Sequence, residues 1–215
     1  MNIVLIDPLM QYRAHCVSET LGLMYIAATL REAGHGVRII ATGLREEDGV
    51  LPQDIQDADL VGITATSALF GNATQVLGTI RAWRPELPVI LGGAHATVST
   101  ESALRAGFDF ALIGEAEKTI IEFVVNLERG EPEQTRGIAF LDESGAVFKT
   151  PEQDLIEDLD TLPFPARDLY DYDAFRAAGG WEFGMLSSRG CPFRCTFCQP
   201  TLNMIFGRMR KRGPE

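Results

Sequence analysis

Apolar positions along the first 130 residues fall into two alternating kinds of segment. Short continuous apolar runs occur at residues 3–6, 37–41, 60–64, 89–91 and 110–113. Each is short and bounded by turn residues, which predicts a strand buried on both faces. Between them, apolar residues recur at helical spacing. Leu21, Met24, Tyr25, Ala28 and Leu30 mark a helix over 20–33, closed by Gly34. Further helices are predicted over 70–83, stopped by Pro85, over 101–106, closed by Gly107, and over 115–128. Acids open the last of these and Arg129-Gly130 end it, as the helix dipole and a left-handed cap favour.

Strands separated by helices predict a doubly wound α/β domain of flavodoxin-like type, with a five-stranded parallel sheet in the order 2-1-3-4-5. Ligands of such sheets sit beyond the carboxyl ends of the strands, near the switch point between strands 1 and 3. Unusual residues cluster there: Asp7 to Cys16 after the first strand, Thr64, Thr66 and Ser67 after the third, Gly92, Gly93 and His95 after the fourth, and Gly114 and Glu115 after the fifth.

The pattern changes beyond residue 135. Residues 136–149 predict a small hairpin turning at Glu143-Ser144-Gly145. Residues 150–175 hold Pro151, Pro163, Pro165 and many acids, a linker with one short helix near 168–175. Residues 183–187 predict a further strand. The chain thus divides into a domain over 1–135, a hairpin and linker over 136–175, and the start of another domain over 176–215.

Composition adds little: 46% hydrophobic and 23% charged residues are ordinary for a globular protein. The N-terminus lacks a basic leader, and no apolar run approaches a membrane span, so no stable membrane insertion and a cytoplasmic location are expected. A net charge of −11 argues against general nucleic-acid binding. The charge is uneven. Residues 191–215 carry five cations against one anion, a balance of +4 that leaves −15 for the rest. That basic tail is read as bordering an anionic cofactor or as a solvated helix start.

Three of the four cysteines, Cys191, Cys195 and Cys198, lie in one run after Gly190, spaced C-x3-C-x2-C. Closed structural zinc sites take four protein ligands. This run offers three, with no His inside it or after it. Iron–sulfur clusters are held by thiolates, usually four, so a three-thiolate loop leaves one iron open. An incomplete zinc knuckle or three unrelated buried thiols are the other readings. Cysteines concentrated in a metal-type loop fit a reducing compartment, with Cys16 a free thiol.

The run Cys-Pro-Phe-Arg-Cys-Thr-Phe-Cys resembles the cluster loop of the radical S-adenosylmethionine enzymes. The resemblance implies a [4Fe-4S] cluster on Cys191, Cys195 and Cys198, with S-adenosylmethionine chelated on the open iron. Phe197 matches the family's aromatic near the adenine. The first domain is similar to the cobalamin-binding domain that precedes many such modules. Ser67-Ala68-Leu69 matches its S-x-L element, Gly92-Gly93 its G-G element within Gly-Gly-Ala-His-Ala-Thr, and Gly114-Glu115-Ala116-Glu117 resembles its G-E-G-E. Thr66, Ser67, Leu69, Gly92, Gly93, His95, Thr97, Gly114 and Glu115 are therefore expected to hold cobalamin, with the glycines admitting the nucleotide tail. The cobalt-ligating His of the mutase-type domains is absent, because Leu9 stands in its place. His15 and Cys16 are read as bystanders.

The resemblance implies methyl transfer to an unactivated carbon by a 5′-deoxyadenosyl radical mechanism, with ring closure or rearrangement in some relatives. It also implies a small-molecule substrate and a one-electron reductant such as flavodoxin or ferredoxin. The start of a partial (β/α) barrel, and nothing of its later strands, is recognisable, so the chain reads as an N-terminal piece of a longer enzyme. A cobalamin carrier without its own catalysis and an iron–sulfur redox sensor are the competing readings.

Overall fold

The computed structural model describes residues 1–8, 19–44, 49–180, 183–193, 195–196 and 208–213. Strand β1 (Asn2–Asp7) leads through helix α1 (Leu21–Glu32) into β2 (Gly36–Ala41). A short helix α2 (Pro52–Ile55) precedes β3 (Leu60–Thr64), followed by α3 (Phe70–Trp83) and β4 (Val89–Gly92). Two short helices, α4 (Ala94–Val98) and α5 (Thr100–Arg105), precede β5 (Phe110–Leu112), and α6 (Glu117–Arg129) completes the winding. These strands run parallel in the predicted order, β2-β1-β3-β4-β5.

Alternation along the strands sorts the core into two layers. Val4, Ile6, Val61, Ile63, Val89 and Leu91 meet α3 through Ala73, Leu77 and Ile80. Ile3, Leu5, Leu60 and Ile90 meet α1 and α6 through Leu23, Ala27, Ile120 and Phe123. Both faces of β1, β3 and β4 are covered, which is why they read as apolar runs, whereas edge strand β2 carries the exposed Arg38.

The sheet extends beyond the expected five strands. The hairpin of β6 (Ile138–Leu141) and β7 (Val147–Lys149) adds antiparallel to β5, pairing Ala111 with Ala139 and Leu112 with Ile138. A lone two-stranded ribbon is marginal in water. Here the open edge of β5 supplies the partner, and Ile138 and Ala139 enter opposite core layers.

The expected strand over 183–187 is replaced by another arrangement. Residues 183–186 have no regular structure, because the Gly184 backbone is taken by side chains. Its N–H donates to Glu19 Oε1 at 2.5 Å, and its carbonyl accepts from Arg167. Two-residue strands β8 (Ser188–Arg189) and β9 (Arg210–Lys211) form a separate antiparallel ladder. The linker helix lies at Tyr172–Ala177 (α7), capped by Asp171, whose carboxylate accepts from the Ala174 N–H at 2.9 Å.

Among its described residues, the basic tail is tied to the domain through Arg208, Arg210 and Arg212, and Arg210–Lys211 form a strand rather than a helix start. Arg208 pairs with Glu157 at 2.5 Å, Arg210 with Glu115 at 2.8 Å and Arg212 with Asp160 at 3.7 Å. These three cations thus meet acids of the linker and of the β5–α6 turn. Among the described residues no helix is long and apolar enough to cross a membrane.

Candidate functional site

A cavity of about 390 Å³ opens at the carboxyl ends of β3, β4 and β5, on the α1/α6 side of the sheet. The register explains it. Leu5, Gly62 and Ile90 stand side by side across β1, β3 and β4, and the next row contains Thr64 beside Gly92. Two side chains missing from this face leave space that α1 and α6 do not fill. Leu5, Ile90, Leu112 and Ile120 make apolar walls, and Gly114, Ala116 and the α1 residues Gly22 and Tyr25 complete the rim. The volume falls in the range of small-molecule sites, about 300–1,000 Å³.

The glycines do different work. A Cβ at Gly62 would lie 2.9 Å from Leu5 Cδ2, whereas one at Gly92 would meet nothing within 4 Å. Gly92 is therefore open floor. Gly93 has φ +88°, and its Cβ would lie 2.8 Å from Thr64 Oγ1 and 2.9 Å from the Ala65 carbonyl. That close approach of backbone is what Gly93 permits.

The remaining motif residues divide between cavity and frame. Thr66 and Ser67 are exposed in the β3–α3 turn, where the Leu69 N–H donates to the Thr66 carbonyl at 3.0 Å. The Leu69 carbonyl accepts from the Ala73 N–H at 3.0 Å and so starts α3. Ser67 Oγ lies 3.0 Å from His95 Nδ1, and the His95 ring stacks on Phe70 with centroids 3.8 Å apart. Burial lowers the His95 pKa, and its Nε2 has no hydrogen-bond partner among the described residues. Thr97 Oγ1 donates to the Gly93 carbonyl at 3.1 Å and accepts from the Gly114 N–H at 3.1 Å, tying the turn after β4 to the turn after β5. Of the nine residues expected at cobalamin, Gly92, Gly93, Gly114 and Glu115 line the cavity, whereas Thr66, Ser67, Leu69, His95 and Thr97 do not.

Glu115 lines the cavity, but its carboxylate is engaged. Both oxygens accept from Arg210 at 2.8 Å, and Oε2 also accepts from the Ile156 N–H at 3.0 Å. Burial pushes this carboxyl up, but the hydrogen bonds from Arg210 and Ile156 and the charges of Arg189 and Arg210 outweigh it, leaving it below the usual carboxylate range. Glu117 holds Arg189 at 2.5 and 3.1 Å. Arg189 and Ser188 also line the cavity, and so does Gly190, the residue before Cys191.

Beside the switch point, Asp7 is buried. One carboxylate oxygen accepts from the Thr20 hydroxyl and the other has no partner among the described residues. Burial pushes Asp7 up to about 6, against the lowering effect of the Thr20 bond. Burial, followed by the charges of Asp7, Glu19 and Tyr172, raises the nearby Tyr170 hydroxyl.

Cys191 and Cys195 are exposed free thiols. Cys198, Phe197, Cys16, His15 and Leu9 lie outside the described residues. Among the described residues no three His, Cys, Asp or Glu side chains gather as a metal site.

Several lining residues escaped the sequence reading. Gly62 carried a signal, since a glycine inside a strand marks close approach or open space. Gly22, Tyr25 and the pairing of Arg189 with Glu117 carried none, because they meet only in the folded chain.

The model of the B12 binding domain matches residues 14–124. An uncharacterized methyltransferase of Pyrococcus horikoshii is 37% identical over 204 residues, spanning 90% of this chain and 42% of the relative. An anaerobic magnesium-protoporphyrin IX monomethyl ester cyclase of Rubrivivax gelatinosus is 28% identical over 148 residues, spanning 65% of this chain and 26% of the relative. This chain therefore spans less than half the length of either relative. Among solved structures, the radical S-adenosylmethionine methyltransferase TsrM of Kitasatospora setae, with cobalamin and a [4Fe-4S] cluster bound, superposes with a TM-score of 0.74 at 18% identity. The match covers 99% of this chain and 44% of that one.

Proposed function

The chain belongs to the B12-binding domain family, and from that premise we propose that it serves a cobalamin-dependent radical S-adenosylmethionine enzyme that transfers a methyl group to an unactivated carbon of a small molecule. The observation that carries the reading is one of adjacency. The cavity with Gly92 as its open floor is walled in part by Ser188, Arg189 and Gly190, and Cys191 follows immediately in the chain.

The residues fit the groups the reading requires. Apolar walls and a floor without a side chain suit a flat heteroaromatic tail such as the cobalamin nucleotide. Exposed, unpaired Cys191 and Cys195, with Cys198 three residues on, are the soft donors that an iron–sulfur cluster takes. When bound, cobalamin supplies a transferable methyl group, while the cluster with S-adenosylmethionine supplies the one-electron cleavage that activates a substrate C–H bond.

The chain's own contribution is binding and exclusion of water. Leu5, Ile90, Leu112 and Ile120 keep the tail of the ligand dry, and Gly92 lets it reach the sheet. The Arg189–Glu117 pair is part of the cavity wall. Ring closure is the second reading, favoured by the similarity to the cyclase of Rubrivivax gelatinosus. A flavodoxin or ferredoxin would supply the electron.

Anaerobic reconstitution of the full chain with iron, sulfide and hydroxocobalamin tests the proposal. Corrin bands and cluster absorption are expected together, and Ala at Cys191, Cys195 and Cys198 should remove the cluster while sparing the corrin. Corrin bands alone in the parent would support a carrier, and iron content unchanged by the triple substitution would overturn the cluster assignment.

A further inference from the structure

We infer that Arg210, which does not line the cavity, is a positioning residue that couples occupancy of the cavity to docking of the β8–β9 ladder. This rests on the cobalamin reading above.

The cavity wall is built from two parts of the chain. The sheet, α1 and α6 supply one part, and Leu186, Ser188, Arg189 and Gly190 supply the other. In the second part Leu186 packs against the cluster of Tyr25, Ile156, Leu159 and Leu162, whereas β8 and β9, two residues each, are held largely by charge. Arg210 Nη1 and Nη2 donate to the two Glu115 oxygens at 2.8 Å, and Nη1 donates to the Ile156 carbonyl at 2.7 Å. The Ile156 N–H returns a bond to Glu115 Oε2 at 3.0 Å, so turn, linker and strand close on one another. Arg189, paired with Arg210 across the ladder, bonds Glu117 at 2.5 Å and lies 3.4 Å from Glu115. The Arg210 and Glu115 side chains are 3% and 5% exposed. At such burial, removing one partner strands the other's charge and releases the contact.

Glu115, Glu117 and Arg189 belong both to this network and to the cavity wall. A ligand filling the cavity touches surface that exists only while β8 is docked. It must therefore favour docking, and docking must raise its affinity by the same factor, because coupling between two equilibria is reciprocal. Arg210 acts on the cavity at one remove, through Glu115. A network that served stability alone would leave the tail's protection indifferent to ligand.

The test uses the full chain with hydroxocobalamin as probe, reading affinity by titration and backbone protection by amide exchange. Cobalamin should slow exchange at residues 187–190 and 210–212 of the parent. Arg210→Gln should weaken binding roughly 5- to 150-fold, the usual span of such couplings, and abolish the ligand-dependent protection. Arg208→Gln, which breaks the exposed pair with Glu157, should leave affinity unchanged. Protection of β1, β3 and β4 reports that each variant is folded. Parent-like affinity in a folded Arg210→Gln would overturn the inference. If that variant does not fold, the parent alone decides, since tail exchange unmoved by bound cobalamin overturns it equally. Failure of the parent to bind cobalamin would overturn the functional reading as well, whereas binding without coupling overturns this inference alone.

Discussion

Asp7 shows how a single side chain at the switch point can tie stability to pH. Burial raises its folded pKa from 3.8 to about 6. The folded chain therefore holds this proton more tightly than the unfolded chain. The resulting stabilisation is complete below the unfolded value and is lost as pH rises through the folded one. Two units correspond to a cost of up to roughly 3 kcal/mol once the group is ionised. Asp7→Asn keeps an acceptor for the Thr20 hydroxyl and cannot ionise. Denaturant unfolding should show its stability relative to the parent rising between about pH 4 and about pH 7.5. A difference that stays constant over that range would contradict the assignment. This residue's place at the end of the first strand was legible in the sequence, but its burial beside Thr20 was not. The same holds for Gly92 and Gly93, identical neighbours that the fold separates into open floor and tight backbone contact.

At the scale of elements, the alternation of apolar runs and helical spacing located all five parallel strands and gave their order correctly, because burial on both faces leaves an unambiguous pattern. The destination of the hairpin was not legible. Its period-two pattern specifies a ribbon, while the edge that receives it is set by where α6 delivers the chain. Likewise the apolar positions at 183–187 suggested a strand, and the tertiary claim of Glu19 and Arg167 on the Gly184 backbone prevailed. If β6 belongs to the domain's cooperative unit, Ile138→Ala should destabilise the whole sheet by about 2–5 kcal/mol, since Ile138 is fully buried between β5 and the α1/α6 layer. Amide exchange should then rise throughout β1, β3 and β4. Acceleration confined to residues 136–149 would show that the hairpin opens separately.

Over the whole molecule, several cations near the C-terminal end find their acids inside the chain. Arg189, Arg208, Arg210 and Arg212 are matched by Glu115, Glu117, Glu157 and Asp160, residues 51 or more positions away in sequence. Charge composition reveals the asymmetry but not the pairing, which depends on the linker's path. The Arg189 and Arg210 pairs hold the cavity's second wall, which ends at Gly190, the residue before Cys191. The central claim is that this cavity receives the cobalamin nucleotide over Gly92. Gly92→Val tests it most directly, because a Cβ there meets no protein atom within 4 Å and the residue lines the cavity. Hydroxocobalamin titration of the parent and of this variant, each checked for an unchanged circular dichroism spectrum, is the measurement. The account predicts saturable binding by the parent and its loss in the folded variant; parent-like affinity in Gly92→Val, or no binding by the parent, would contradict it.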